Sequence, residues 1–178
     1  MGKRVVLFVD DEEKMLKSIK RALVDEPYET LFATSGKQAL EILEREEVHV
    51  IIADICMPEM RGLELLEITK EEYPHVIRLV LSGFTAIPTL LTAINYGQIW
   101  KYISKPLKSN EELKAIIRQA LEYYDLHSDR EMLMTIIELL AHGNDPEAIN
   151  WKRIKTLISE RKTRRYKWEN KFSPAMQT

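Results

Sequence analysis

Two rhythms alternate along the first 124 residues. Dense apolar runs occur at RVVLFV (4–9), ETLFAT (29–34), VHVIIA (48–53), VIRLVL (76–81) and IWKYIS (99–104). Between them apolar residues recur at helical spacing. Met15, Ile19, Ala22 and Leu23 mark one such stretch; Ala39, Leu40, Ile42 and Leu43 mark a second; Leu63, Leu65, Leu66 and Ile68 mark a third. Leu90, Leu91, Ala93 and Ile94 mark the fourth, and Leu113, Ile116, Ile117, Ala120 and Leu121 the fifth. The first rhythm predicts strands and the second amphipathic helices. Strands alternating with helices at this spacing imply a parallel sheet covered on both faces. The third and fourth runs are nearly wholly apolar, as parallel strands buried on both sides must be. The pattern therefore predicts an α/β domain with a doubly wound five-stranded parallel sheet, and right-handed crossovers leave few topologies open to it.

Beyond residue 124 the rhythm changes. A polar stretch, HSDRE (127–131), interrupts the helical spacing, which resumes at Leu133, Ile136, Ile137 and Leu140. Either the fifth helix runs on or a new one starts there. In HGNDPEA, Gly143 suits a helix C-terminus, Asp145 an N-cap and Pro146 a first helical position. Trp151, Ile154, Leu157 and Ile158 then continue an amphipathic helix to about residue 161. The expected organisation is a 1–124 domain followed by a 125–178 helical extension, which resembles a helical hairpin suited to dimerisation or docking.

Charge marks the same boundary. The chain of 178 residues has a formal charge of −2, but residues 1–124 carry −4, residues 125–150 carry −5 and residues 151–178 carry +7. The basic run RKTRRYKWENK (161–171) has Tyr166 and Trp168 interleaved, which can mean nucleic-acid contact but is more often a solvated tail. An apolar fraction of 45% with 30% charged residues is that of an ordinary globular protein. No apolar run approaches the roughly 20 residues of a membrane span. The opening MGKRVVLFVDDE is too short in its apolar part for a signal peptide, so a cytoplasmic location is expected. One cysteine, Cys56, allows no internal disulfide, and neither it nor the four histidines have zinc-ligand spacing.

Ligands of doubly wound sheets bind at the carboxyl ends of the strands. The first predicted strand ends at Asp10 and Asp11, the third at Asp54, the fourth at Ser82 and Gly83, and the fifth at Ser104, Lys105 and Pro106. Singly, each feature has a plain explanation: paired acids often open a helix, and Ser-Gly and Lys-Pro often make turns. Together, three carboxylates, a hydroxyl and an ammonium converge on one rim. Three neighbouring carboxylates repel unless a cation joins them. Their oxygen-only donor set suits Mg²⁺. A carboxylate beside such an ion can act as a nucleophile towards phosphorus, with lysine and hydroxyl neutralising the transferred group.

VDDE at 9–12, the D-x-x-M-P-x-M-x-G run from Asp54 to Gly62, LSG at 81–83 and Y-x-x-K-P from Tyr102 to Pro106 give residues 1 to about 124 a resemblance to the response-regulator receiver domains of bacterial two-component signalling. The resemblance implies a flavodoxin-like sheet of order 2-1-3-4-5. It implies Asp54 as phosphoacceptor, Asp10 and Asp11 with Asp54 as Mg²⁺ ligands, and the backbone carbonyl of Cys56 as a further ligand. Lys105 would pair with the phosphoryl group, and Ser82 and Tyr102 would form a switch read out on the 86–124 face. The partner would be a sensor histidine kinase or phosphotransfer protein. Such a chain is a phosphoacceptor that assists its own phosphorylation and dephosphorylation, not an enzyme with a separate substrate. Phe84 and Cys56 flank the expected phosphoryl site, where they can control access of water. Output is expected through a protein partner, with a homodimer as one form. The alternatives are DNA binding by the basic tail, or a regulatory part cut from a cyclic-di-nucleotide phosphodiesterase.

Overall fold

The computed structural model of the chain describes residues 3–83 and 99–141, together with Thr156 and Ser159. The strands are β1 (Val5–Val9), β2 (Glu29–Ala33), β3 (Val50–Asp54), β4 (Ile77–Ser82) and β5 (Lys101–Ser104). The described helices are α1 (Glu13–Ala22), α2 (Gly36–Arg45), α3 (Gly62–Glu72) and α4 (Asn110–Ala141). The sheet is five-stranded in the order β2-β1-β3-β4-β5, and every pairing is parallel. This is the doubly wound arrangement that the alternation of rhythms predicts.

Strand side chains alternate between faces. On one face Leu7, Val9, Ile51, Ala53 and Val80 join Ala39 and Leu43 of α2 and Leu65 and Leu66 of α3 in one core cluster. The alternate residues Val6, Phe8, Ile52, Leu79 and Leu81 are equally buried, as are Leu16 and Ile19 of α1 and Leu113, Ile117 and Leu121 of α4. These α1 and α4 residues lie outside the first cluster, so both faces of the sheet are covered. Burial on both sides explains why the central strands lack polar alternation. α2 opens on Ser35, whose hydroxyl accepts the Gln38 N–H at 3.2 Å, a side-chain N-cap.

The chain divides into a unit of residues Gly2–Asp125 and a second that begins at Leu126. The polar stretch at 127–131 does not end the helix, because α4 continues from Asn110 to Ala141. Polar residues on an exposed helical surface cost the helix little, so the interruption is one of pattern and not of backbone. Thr156 and Ser159 are helical and exposed. The fourth predicted helix, Phe84, and the turn at Gly143 to Pro146 lie outside the described residues, as do Trp151, Ile154, Leu157, Ile158 and the basic run.

Candidate functional site

The carboxyl rim is assembled by backbone that is itself hydrogen-bonded. Asp10 follows β1 directly, and its N–H donates to the Ala33 carbonyl at 3.1 Å, extending the β1–β2 ladder by one step. Its side chain is buried, and its Oδ1 accepts the Glu12 N–H at 2.9 Å at the start of α1. Asp54 is the last residue of β3, buried like Asp10, with Oδ1 accepting the Ile55 N–H at 2.9 Å. Asp11 is exposed. One oxygen from each of Asp10, Asp11 and Asp54 falls within 4.8 Å of the others.

Lys105 enters from the far side of the sheet. Its N–H donates to the Ser82 carbonyl at 2.8 Å, which fixes its backbone just beyond β5. The peptide from Lys105 to Pro106 is cis. The ammonium donates to Asp10 Oδ2 at 2.7 Å and lies 3.2 Å from Asp54 Oδ2. Burial disfavours its charge, but the hydrogen bond and charge of Asp10, followed by those of Asp54, outweigh burial and hold the ammonium above its ordinary value. One lysine thus neutralises two buried carboxylates that belong to strands β1 and β3.

Ser82 closes β4 and is buried. Its carbonyl also accepts the Tyr102 hydroxyl at 3.1 Å, while the Tyr102 ring packs against the core cluster. The two residues expected to act as a switch are therefore joined directly, through backbone on one side. Cys56 is exposed, and its side chain takes no part in the carboxylate cluster.

Two features of the rim escape sequence reasoning. Gly62, the end of the D-x-x-M-P-x-M-x-G run, opens α3 directly against Asp54: a Cβ there would sit 1.9 Å from the Asp54 carbonyl oxygen. Its N–H donates to the Ile55 carbonyl at 3.1 Å, closing the loop that follows the nucleophile candidate. Within that loop Glu59 adopts φ 64°, a left-handed conformation in a non-glycine residue. The spacing of Asp54 and Gly62 in the D-x-x-M-P-x-M-x-G run is the trace of this in sequence, and it carries no hint of the contact.

The donor set at the rim is all oxygen, with buried acids and no nitrogen or sulfur ligand among them. Such a cluster can hold a hard divalent cation. Five parallel strands in the order 2-1-3-4-5, with three carboxylates and a lysine at the carboxyl edge, define a CheY-like α/β domain. The response regulator receiver domain family matches residues 6–118, and the chain belongs to that family.

The hydrogenase transcriptional regulatory protein HoxA of Cupriavidus necator is 35% identical over 128 residues, 72% of this chain and 26% of that protein. An NtrX-like response regulator of Rickettsia bellii is 38% identical over 119 residues, 66% of this chain and 24% of that protein. The chain therefore spans about a quarter of the length of these curated relatives. Among solved structures, the signal receiver domain of an HD domain-containing protein from Pseudomonas fluorescens Pf-5 superposes with TM-score 0.66 at 35% identity, covering 71% of this chain and 99% of that one. A CheY-like receiver domain protein from Methanospirillum hungatei JF-1 gives TM-score 0.66 at 28% identity, covering 71% and 99%. Among the described residues no helix is long and apolar enough to cross a membrane.

Proposed function

We propose that this chain is a two-component response regulator in which Asp54 accepts a phosphoryl group from a phosphohistidine of a sensor kinase or phosphotransfer protein. The observation that carries the reading is the Asp10–Lys105–Asp54 arrangement, in which a buried carboxylate at a strand end shares an ammonium with its neighbour. A carboxylate oxygen of Asp54 attacks phosphorus, the P–N bond breaks with its electron pair left on nitrogen, the imidazole, already protonated at its other nitrogen, leaves neutral, and an acyl phosphate remains. The strand end holds Asp54 rigid, and the Ile55 N–H orients its carboxylate. Lys105 transfers its charge compensation from the carboxylates to the phosphoryl oxygens. Asp10, Asp11 and Asp54 would hold Mg²⁺, with the Cys56 carbonyl as a further ligand, and the bound ion would supply positive charge to the carboxylates and to the transferring group. The chain is a phosphoacceptor that assists its own phosphorylation and dephosphorylation and has no separate substrate.

Ser82 turns its hydroxyl to the phosphoryl group, and Tyr102, held on the Ser82 carbonyl, follows. The 86–124 face and the helical tail then report the change to a protein partner. A second reading is favoured by the HoxA relative, which is a transcriptional regulatory protein. In that reading the receiver governs a DNA-binding output, with the basic run at 161–171 as the contact. The test is intact-mass spectrometry after incubation with Mg²⁺ and acetyl phosphate. One alkali-labile phosphoryl group is expected, lost in Asp54→Asn and in the presence of EDTA. Labelling of Asp54→Asn at the same site rejects the proposal, and salt-dependent DNA binding by the full chain decides for the second reading.

A further inference from the structure

Among the described residues, α4 buries side chains only along its first half. Leu113, Ile117, Ala120 and Leu121 are fully buried, and Tyr124, 8% exposed, is the last of them. The helix nevertheless runs on to Ala141. The first turn beyond Tyr124 brings His127, Ser128 and Asp129 in succession. All three are weak helix formers, Ser and Asp because their side chains compete for nearby backbone groups. The deficit of each is small, but here they fall together. A short helical segment is marginal in water unless an already formed turn seeds it.

The turn before that stretch is gripped at the amino edge of the sheet. Arg4 precedes β1, its carbonyl accepting the Glu29 N–H at 2.7 Å. Its guanidinium lies over the Tyr124 ring, 5.1 Å from the centroid, and pairs with Asp125 Oδ1. The Arg4 side chain is 10% exposed, and a cation over an aromatic face is worth more out of water than at an open surface. His49 packs on the same ring, with centroids 4.8 Å apart and planes inclined at 63°. The backbone fixes His49: its N–H donates to the Val5 carbonyl at 3.0 Å, and its carbonyl accepts the Ile77 N–H at 2.9 Å. Its Nδ1 accepts the Val5 N–H at 3.2 Å. Residues just before β1 and β3 thus hold two consecutive residues of α4, where the first of the two units ends at Asp125.

We infer that Arg4 and His49 form a clasp on Tyr124 and Asp125 that keeps α4 helical through residues 126–131. Closed, the clasp supplies the fixed turn from which the weak helix formers continue. Open, the helix frays at that stretch and gains a joint there. A rod carries a rotation along its axis and a jointed helix does not, which makes the clasp a conformational device and not only a tie. It does not depend on the phosphoacceptor reading, and its test contains no phosphodonor. Either can fail while the other stands.

The experiment is hydrogen exchange on the full chain, read peptide by peptide by mass spectrometry. Arg4→Met keeps an aliphatic stem and removes the charge that both contacts use. Amides of 125–134 are expected to exchange about tenfold faster, because local opening sets their protection. Amides of β1, β3 and α3 are expected to keep their rates. Asp125→Asn removes the ion pair and leaves the ring contacts, so a rise of about threefold is expected at the same amides. Adding Ser128→Ala to Arg4→Met puts a strong helix former in the turn and is expected to restore most of the protection. Unchanged exchange at 125–134 in Arg4→Met overturns the inference, since the extension then holds the turn by itself. Should Arg4→Met not fold, Asp125→Asn decides by the same criterion. An equal rise throughout the receiver overturns the inference too, because it marks a general loss of stability. So does failure of Ser128→Ala to restore protection.

Discussion

Replacing Lys105 by Met keeps the aliphatic stem and removes the charge that two buried acids share. Asp10 loses a 2.7 Å hydrogen bond and Asp54 a neighbour at 3.2 Å. Both carboxylates stay in place because their Oδ1 atoms are held by backbone N–H groups. Removing one partner from a buried ion pair costs about 3–5 kcal/mol. The Lys105 side chain retains 19% of its exposure and Asp11 opens the site to water, so a discounted cost of about 2–4 kcal/mol is expected. For a chain of this size that is a fall of roughly 5–10 °C in Tm. The measurement is thermal and urea unfolding in EDTA and again in excess Mg²⁺. In EDTA the variant melts lower. In Mg²⁺ it recovers more than the unaltered chain does, because the cation no longer competes with the ammonium for the same oxygens and binding stabilises by mass action.

The pH dependence has a definite sign. A lysine held above its ordinary value contributes in full below the unfolded value, about 10.4, and its share is lost as pH rises through the higher folded value. The Lys105 contribution therefore stays constant through neutral pH and is lost as pH rises into the alkaline range. Equal stability of the two proteins in EDTA would falsify the assignment of Lys105 as the shared counter-charge. Weaker Mg²⁺ binding by the variant would show that the lysine supports the metal site rather than competing for it.

Other outcomes follow from single contacts. Gly62→Ala drives a Cβ into the Asp54 carbonyl, 1.9 Å away; a loss of about 3 kcal/mol by urea unfolding is expected, and phosphorylation should fall with it. Tyr28 is buried with no hydrogen-bond partner for its hydroxyl among the described residues, and burial, with Glu26 adding to it, raises its ionisation well above the ordinary range. Tyr28→Phe is expected to leave stability unchanged or raise it by about 1 kcal/mol, since no bond is broken; a loss of that size by denaturant titration shows a partner for the hydroxyl. Glu26 is buried and accepts Arg118 through both oxygens, at 2.9 and 3.1 Å, so Glu26→Gln should cost about 1–3 kcal/mol in the same assay. Beryllium fluoride with Mg²⁺ is expected to change the sedimentation behaviour of the full chain more than that of Asp54→Asn; identical responses separate the tail from the phosphoacceptor.

The sequence alone determined the sheet and its rim. Strands buried on both faces are nearly wholly apolar, so Val50 to Ala53 and, with Arg78 as its one polar member, Ile77 to Leu81 declare themselves, and strand order then forces their ends together. Chemistry at those ends is legible because Asp10, Asp11, Asp54 and Lys105 all follow or close a strand. Boundaries shifted by a residue or two at the strand starts, β3 opening at Val50 and β5 at Lys101, while Asp54 and Ser82 close their strands as expected, since the ladder extends while hydrogen bonds can still be made. What only tertiary structure decided is which atoms meet. That one ammonium serves both Asp10 and Asp54, that Tyr102 rests on the Ser82 carbonyl, and that Gly62 leaves no room beside Asp54 all depend on sub-ångström placement of segments far apart in sequence. Periodicity reports which face a side chain takes, and it is silent on distance. The polar stretch at 127–131 shows the same limit in reverse: a broken pattern at the surface left the backbone of α4 unbroken, because solvent accepts either kind of side chain there.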